Sequence, residues 1–236
     1  MGYSGTVLIS DCVNLADLGA AVPNAAVGGI LGSTFRGGCV ITNCVNYGAV
    51  GQVCASGNAY SGGILGLADL YFGNPVTISD CANYGSVISI HSVGGIAGGV
   101  TLAMHSGQTF EAVNCANYGA LVLPEGADPE TAHAGQGIGF IASELDSKFA
   151  QRFEFINCFF AGQETGDALP ASEITFTGCK TPASGSAKSS AKLLSAWAEA
   201  NGYSSWTQGK VGGNVYPELG IFCENPYVAG FMMFVR

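Results

Sequence analysis

The side chains with chemical potential fall in a recurring phrase. It reads Ile9-Ser10-Asp11-Cys12-Val13-Asn14, Ile41-Thr42-Asn43-Cys44-Val45-Asn46-Tyr47-Gly48, Ile78-Ser79-Asp80-Cys81-Ala82-Asn83-Tyr84-Gly85 and Val113-Asn114-Cys115-Ala116-Asn117-Tyr118-Gly119. Weaker copies are Phe155-Ile156-Asn157-Cys158 and Phe176-Thr177-Gly178-Cys179. Carboxylates at Asp11 and Asp80 are the raw material of general acid–base or calcium-assisted chemistry, which needs clustered acids and a nearby base. The intervening phrase carries Asn43, and no basic residue lies in any of the phrases. That pattern argues against a carbohydrate-active enzyme, which stays as the alternative to a non-enzymatic chain. His91, His105 and His133 lack metal-ligand spacing. The segment 125–130, with Glu125, Asp128 and Glu130, reads as a solvated turn, with weak calcium binding as the lesser alternative. Ser189-Ser190-Ala191-Lys192 matches S-x-x-K without a companion motif. No catalytic, metal or cofactor residue is assigned, and no cofactor is expected.

These residues need elements to position them. A second phrase follows each of the first four: Gly29-Ile30-Leu31-Gly32, Gly63-Ile64-Leu65-Gly66, Gly95-Ile96-Ala97-Gly98 and Gly137-Ile138-Gly139-Phe140, the last without its final Gly. A fixed phrase at uneven intervals is the mark of a solenoid, which keeps its core positions and lets its loops vary. The sequence predicts an all-β chain, a right-handed parallel β-helix of about six coils over residues 5–180. Each coil is read as a strand, an Asn-Tyr-Gly turn, a strand and a Gly-rich strand. Regularity is expected to fade after residue 120, because Phe159-Phe160 replaces the usual Val-Asn or Ala-Asn.

Stacked coils turn equivalent residues into columns, with neighbouring strands about 4.8 Å apart. Cys12, Cys44, Cys81, Cys115, Cys158 and Cys179 form one column. Small apolar filler is its favoured reading, with inter-coil disulfides as the alternative. Cys39, Cys54 and Cys223 fall outside it. Asn14, Asn46, Asn83 and Asn117 form a turn column. Tyr47, Tyr84 and Tyr118 form an aromatic one, and they are the candidate ligand-contact residues, weighed against simple turn packing. The Gly pairs mark tight bends where a side chain would clash.

At the level of families, "DCVN", "NCVNYGAV", "DCANYGSV" and "NCANYGAL", each followed by "GGILG", "GGILG", "GGIAG" or "QGIGF", resemble the GLUG-motif repeats of bacterial surface proteins. The resemblance implies a secreted or cell-surface location, a role in adhesion, ligand binding or spacing, and a place within a larger chain. Its partners would be a glycan or a surface protein of host or microbe. Residues 1–4 show no signal-peptide pattern, which fits an excised or mature segment.

Composition narrows the partners. Net charge is −9 with only eight Lys and Arg. Arg36 is the single cation before Lys148, so neither phosphate backbones nor anionic membranes are suitable partners. No apolar run is long enough for a spanning helix, so membrane insertion is not expected. Nine Cys is an odd number, leaving at least one thiol unpaired or shared with another chain. Residues 181–236 read as a linker, a short helix around Leu193, Leu194 and Trp197, and a small cap that includes Trp206 and Tyr216-Pro217-Glu218-Leu219. The apolar Phe231–Val235 segment is expected to be a buried strand.

Overall fold

A computed structural model describes residues 5–34, 37–52, 57–70, 74–101, 109–142, 152–160, 174–179, 206–211 and 214–219. The chain divides into two compact units, residues 1–181 and 182–236.

The first unit is a parallel solenoid. Its strands make five sheets, and every pairing between coils is parallel and in register. The first sheet stacks Thr6–Ser10, Gly38–Thr42, Val76–Ser79, Thr109–Val113, Arg152–Ile156 and Ile174–Thr177. The second stacks Val13–Asn14, Ala82–Asn83 and their equivalents as far as Phe159–Phe160. The third, fourth and fifth sheets hold four strands each. In the third coil these are Val87–Ser89, Ser92–Gly94 and Ala97–Thr101. Five strands per coil exceed the three elements expected from sequence, because the phrase breaks into short strands at each corner. Among the described residues four coils carry all five strands, a fifth supplies two strands and a sixth supplies one.

Alternation explains the core. In the first sheet Val76 and Ile78 point inward and are fully buried, while Thr77 and Ser79 face out. The column of Ile41, Ile78 and Phe155 shares one core with Ile64 and Ile96, and with Leu65, Leu70 and Ile138. Each such side chain contributes about 1.5–3 kcal/mol by leaving water.

The fourth coil corrects the sequence alignment. Gly94 pairs with Gly135 and Ala97 with Ile138. Gln136 therefore stands where Gly95 stands, Gly137 where Ile96 stands, and Gly139 where Gly98 stands. The final Gly is not lost; the missing residue is the core isoleucine. The Phe155 ring fills its place, since a Cβ on Gly137 would lie 2.5 Å from that ring. Small Ala112, paired with Phe155 in the first sheet, makes further room. Regular coiling thus continues to Ala142, well past residue 120, because one large side chain compensates for two small ones.

Glycine lets the fourth and fifth sheets approach backbone to backbone. A Cβ on Gly62 would meet the Leu65 carbonyl oxygen at 1.9 Å, and one on Gly98 would meet the Ser61 backbone at 2.6 Å. No other residue fits there.

In the second unit Trp206–Val211 pairs antiparallel with Asn214–Leu219 as a hairpin. The helix expected around Leu193, Leu194 and Trp197, and the strand expected at Phe231–Val235, lie outside the described residues. Cys54, Cys223, His105 and the S-x-x-K segment also lie outside them.

Candidate functional site

The Asp/Asn position preceding each column Cys turns out to be a corner residue. Asp11, Asn43, Asp80, Asn114 and Asn157 all have positive φ, from 50° to 57°, and the sixth copy uses Gly178 at φ 68°. Asn and Asp tolerate this left-handed conformation better than other side-chain-bearing residues. The alternation of acid and amide also has a reason. Asn43 Nδ2 donates to Asp11 Oδ1 at 2.6 Å, and Asn114 Nδ2 donates to Asp80 Oδ1 at 2.5 Å. Two acids on adjacent coils would repel; an acid and an amide bond. The carboxylates weighed for catalysis are therefore spent on the corner.

The second Asn column runs through the interior. Asn14 Nδ2 donates to Asn46 Oδ1 at 2.7 Å, Asn46 to Asn83 at 2.7 Å and Asn83 to Asn117 at 2.8 Å. Each Nδ2 also donates to the carbonyl two residues on, namely Ala16, Gly48, Gly85 and Gly119. Both amide hydrogens are thus used. Asn46, Asn83 and Asn117 are fully buried, and such groups must be paired to be tolerated. Glycine makes space for the amides: a Cβ on Gly29, Gly63 or Gly95 would meet the next coil's Asn side chain at 2.3–2.5 Å. The ladder ends where the fifth coil places Phe160 opposite Asn117. There Asn117 Nδ2 donates instead to Gln136 Oε1 at 2.8 Å. Gln136 can carry a side chain because no further Asn arrives to occupy its space.

The thiol column lies inside the core. Cys44, Cys81, Cys115 and Cys158 are buried, Cys179 is half-buried and Cys12 is exposed; none of the six is in a disulfide. Each donates to the carbonyl two residues earlier, at 3.1–3.9 Å. From Cys81 onward each also reaches a carbonyl of the preceding coil, as Cys115 does to Ile78 O at 3.4 Å. Burial pushes the Cys115 thiol well up, reinforced by contact with the Cys158 and Cys81 thiols. Contact with Cys81 and then burial push Cys44 up. Such thiols are packing groups, the favoured sequence reading. Cys39, outside the column, is buried in the first sheet, where burial raises its pKa.

The three candidate contact residues come together. Tyr47 and Tyr84 stack with ring centroids 5.0 Å apart and planes 10° apart, and Tyr84 and Tyr118 at 4.8 Å and 11°. Phe159 tilts against Tyr118 at 5.3 Å. All three tyrosines are half-buried. Both faces of Tyr84 are covered by its neighbours, so a partner reaches its edge rather than its face. Beside this column the outward positions of the third sheet carry no charge. They are Gly19, Gly51, Ile88 and Val122; Ala49, Ser86 and Ala120 flank the last three, whereas in the first coil the flanking residue is Asp17, whose Oδ1 accepts from Ala49 N at 2.8 Å and marks the charged end of the strip. Sequence reading found the tyrosines but missed this adjoining strip, although its period-two alternation in Tyr84-Gly85-Ser86-Val87-Ile88 was the available signal.

His91 and His133 lie on adjacent coils with ring centroids 6.2 Å apart, and Tyr60 packs edge-on to His91 at 5.8 Å. Burial lowers both histidine pKa values, and His133 adds to the effect at His91. In the acidic segment, Asp128 Oδ1 accepts from Glu130 N at 2.9 Å and Oδ2 from Thr131 Oγ1 at 3.1 Å. The carboxylate thus organises a turn. No group of three or more metal-ligating side chains assembles among the described residues, and no described helix is long and apolar enough to cross a membrane.

The fold and its columns define a repeat protein of the parallel β-solenoid class. Its architecture is similar to that of a Bacteroides ovatus protein described as a "putative immunoglobulin A1 protease", whose crystal structure was solved at 1.30 Å. The TM-score is 0.55, with 21% identity over 89% of this chain. At that identity the likeness is one of fold. The chain spans 57% of that protein's length. No family model matches the chain, and no curated protein matches it.

Proposed function

We propose that this chain is a non-enzymatic segment of a secreted or surface-attached bacterial protein, serving both as a rigid spacer and as a contact surface in adhesion. The observation that carries the reading is the uncharged strip formed by Tyr47, Tyr84 and Tyr118 with Ile88 and Val122, on a chain of net charge −9. Contiguous uncharged surface beside stacked, half-buried tyrosine rings suits a glycan or a protein partner. The GLUG-like phrases and the fold likeness to a Bacteroides protein support the same setting. The polar side chains of the coils are consumed in coil-to-coil ladders, which favours a scaffold over a catalyst.

A glycan array and a panel of host surface proteins test this reading with three chains. These are wild type, Tyr84→Ala and Ile88→Asp, the last an outward position that leaves the core intact. Binding by wild type that falls at least about tenfold in both variants is expected, equivalent to ~1.4 kcal/mol. Equal binding by all three removes the strip from the reading. Cleavage of immunoglobulin A1 or of a polysaccharide by the purified chain would overturn the non-enzymatic reading.

A further inference from the structure

The outermost thiols of the cysteine column differ from the rest. Cys12 is exposed, whereas Cys44 directly beside it is buried. The two are held in register from both sides, since Ser10 pairs with Thr42 and Val13 with Val45. Val45 N donates to Cys12 O at 2.9 Å, which ties the two corners together. The thiols point alike: Cys12 Sγ donates to Ser10 O at 3.2 Å and Cys44 Sγ to Thr42 O at 3.1 Å. Partners on neighbouring parallel strands lie about 4.8 Å apart. That spacing falls inside the roughly 4.4–6.8 Å range that Cα atoms span across a disulfide.

Among the described residues, the first coil is packed on one side only. Its Val7 is 56% exposed and its Leu8 67%, and Thr6–Ser10 is the outermost strand of its sheet. It can therefore yield the small shift that brings the two sulfurs into bonding distance. Deeper pairs lack this freedom, being enclosed between coils on both sides. Cys81 and Cys158 are wholly buried and Cys115 nearly so, so solvent-borne reagents do not reach them.

We propose that Cys12 and Cys44 form an oxidisable dithiol, a modification site for low-molecular-weight disulfides, which closes into a clasp between the first and second coils. The Cys12 thiolate attacks one sulfur of the small disulfide, forming a mixed disulfide and releasing one small thiol. As the first coil shifts, Cys44 Sγ attacks the Cys12 sulfur and the second small thiolate departs, taking up the Cys44 proton to leave as a thiol. The two protein thiols are oxidised to one disulfide, and one small disulfide is reduced to two thiols. An extracellular or otherwise oxidising compartment supplies such reagents, but the reaction itself does not depend on the adhesive role proposed above.

The test treats the whole chain with oxidised glutathione, alkylates the remaining thiols and maps peptides by mass spectrometry. A Cys12–Cys44 cross-linked peptide is expected, absent from Cys12→Ala and reversed by dithiothreitol. Closing this loop should slow proteolytic cleavage within residues 5–37 by about tenfold or more. Three outcomes overturn the proposal. Cys12 is recovered only as its glutathione adduct, or only as an intermolecular Cys12–Cys12 dimer, or a Cys81–Cys115 cross-link appears while Cys12 stays open to alkylation.

Discussion

Replacing Asn83 by Ala removes the middle rung of the buried amide ladder. Asn83 accepts from Asn46 at 2.7 Å and donates to Asn117 at 2.8 Å and to Gly85 O at 2.9 Å. Three bonds at about 1 kcal/mol net each are lost, and one Asn46 amide hydrogen is stranded in the interior at a further ~1–3 kcal/mol. Asn117 Oδ1 keeps the Gly119 N–H, which moderates the loss on that side. The sum is about 4 kcal/mol. Asn14→Ala breaks a similar set of bonds at the exposed end of the ladder, where water replaces them, and should cost about 1 kcal/mol. Urea unfolding followed by circular dichroism reads the difference. With a slope near 2 kcal/mol per molar, the Asn83→Ala midpoint should drop by about 2 M. Equal midpoints for the two variants, or a loss under about 1 kcal/mol for Asn83→Ala, would refute the idea that buried amide pairing holds the coils together.

Three further outcomes follow from the same structure. Ser61→Ala should raise stability by about 1 kcal/mol in the same urea assay, because Ser61 Oγ is buried without a hydrogen-bond partner among the described residues. Asp80→Val should cost about 2 kcal/mol or more, since a branched side chain is strained at φ 50° and Asn114 loses its acceptor; Asp80→Asn, which keeps both features, should stay within about 0.5 kcal/mol. Stability should fall as pH drops below about 6.5, the ordinary histidine value. His91 and His133 have lowered pKa values in the folded state, so the unfolded chain binds more protons in that window, and stability rises with pH through it. Thermal melts between pH 7 and pH 5 check this, and an equal decline in His91→Asn/His133→Asn would discount the pair.

The fold was legible because its signal is repetition. The Asp/Asn-Cys-x-Asn phrase names three stacked columns at once, and in-register parallel pairing places Asn14, Asn46, Asn83 and Asn117 in one of them as expected. What the phrase could not convey was three-dimensional compensation. Gly137 reads as the start of a fourth Gly-Ile phrase, yet it occupies the isoleucine position because Phe155, 18 residues downstream (155 − 137), fills the gap. No local pattern in the sequence links those two residues. The corner role of Asp80 was hidden for a similar reason: its partner Asn114 sits one coil away, so the acid looked available for chemistry. The tyrosine stack was legible as a column, but the covering of both Tyr84 faces depends on ring orientation, which spacing does not encode.

Every donor in the interior amide ladder points toward the later coil until Gln136 receives the last one. That direction has a consequence for how such a protein can lengthen by duplication. Copying the second or third coil inserts an Asn that accepts from below and donates above, next to a Gly that leaves it room. Copying the fourth coil would set the Gln136 side chain into the space an incoming Asn requires. Growth by tandem duplication is therefore open in the first three coils and closed at the fourth, and the residue that closes it is a single glutamine.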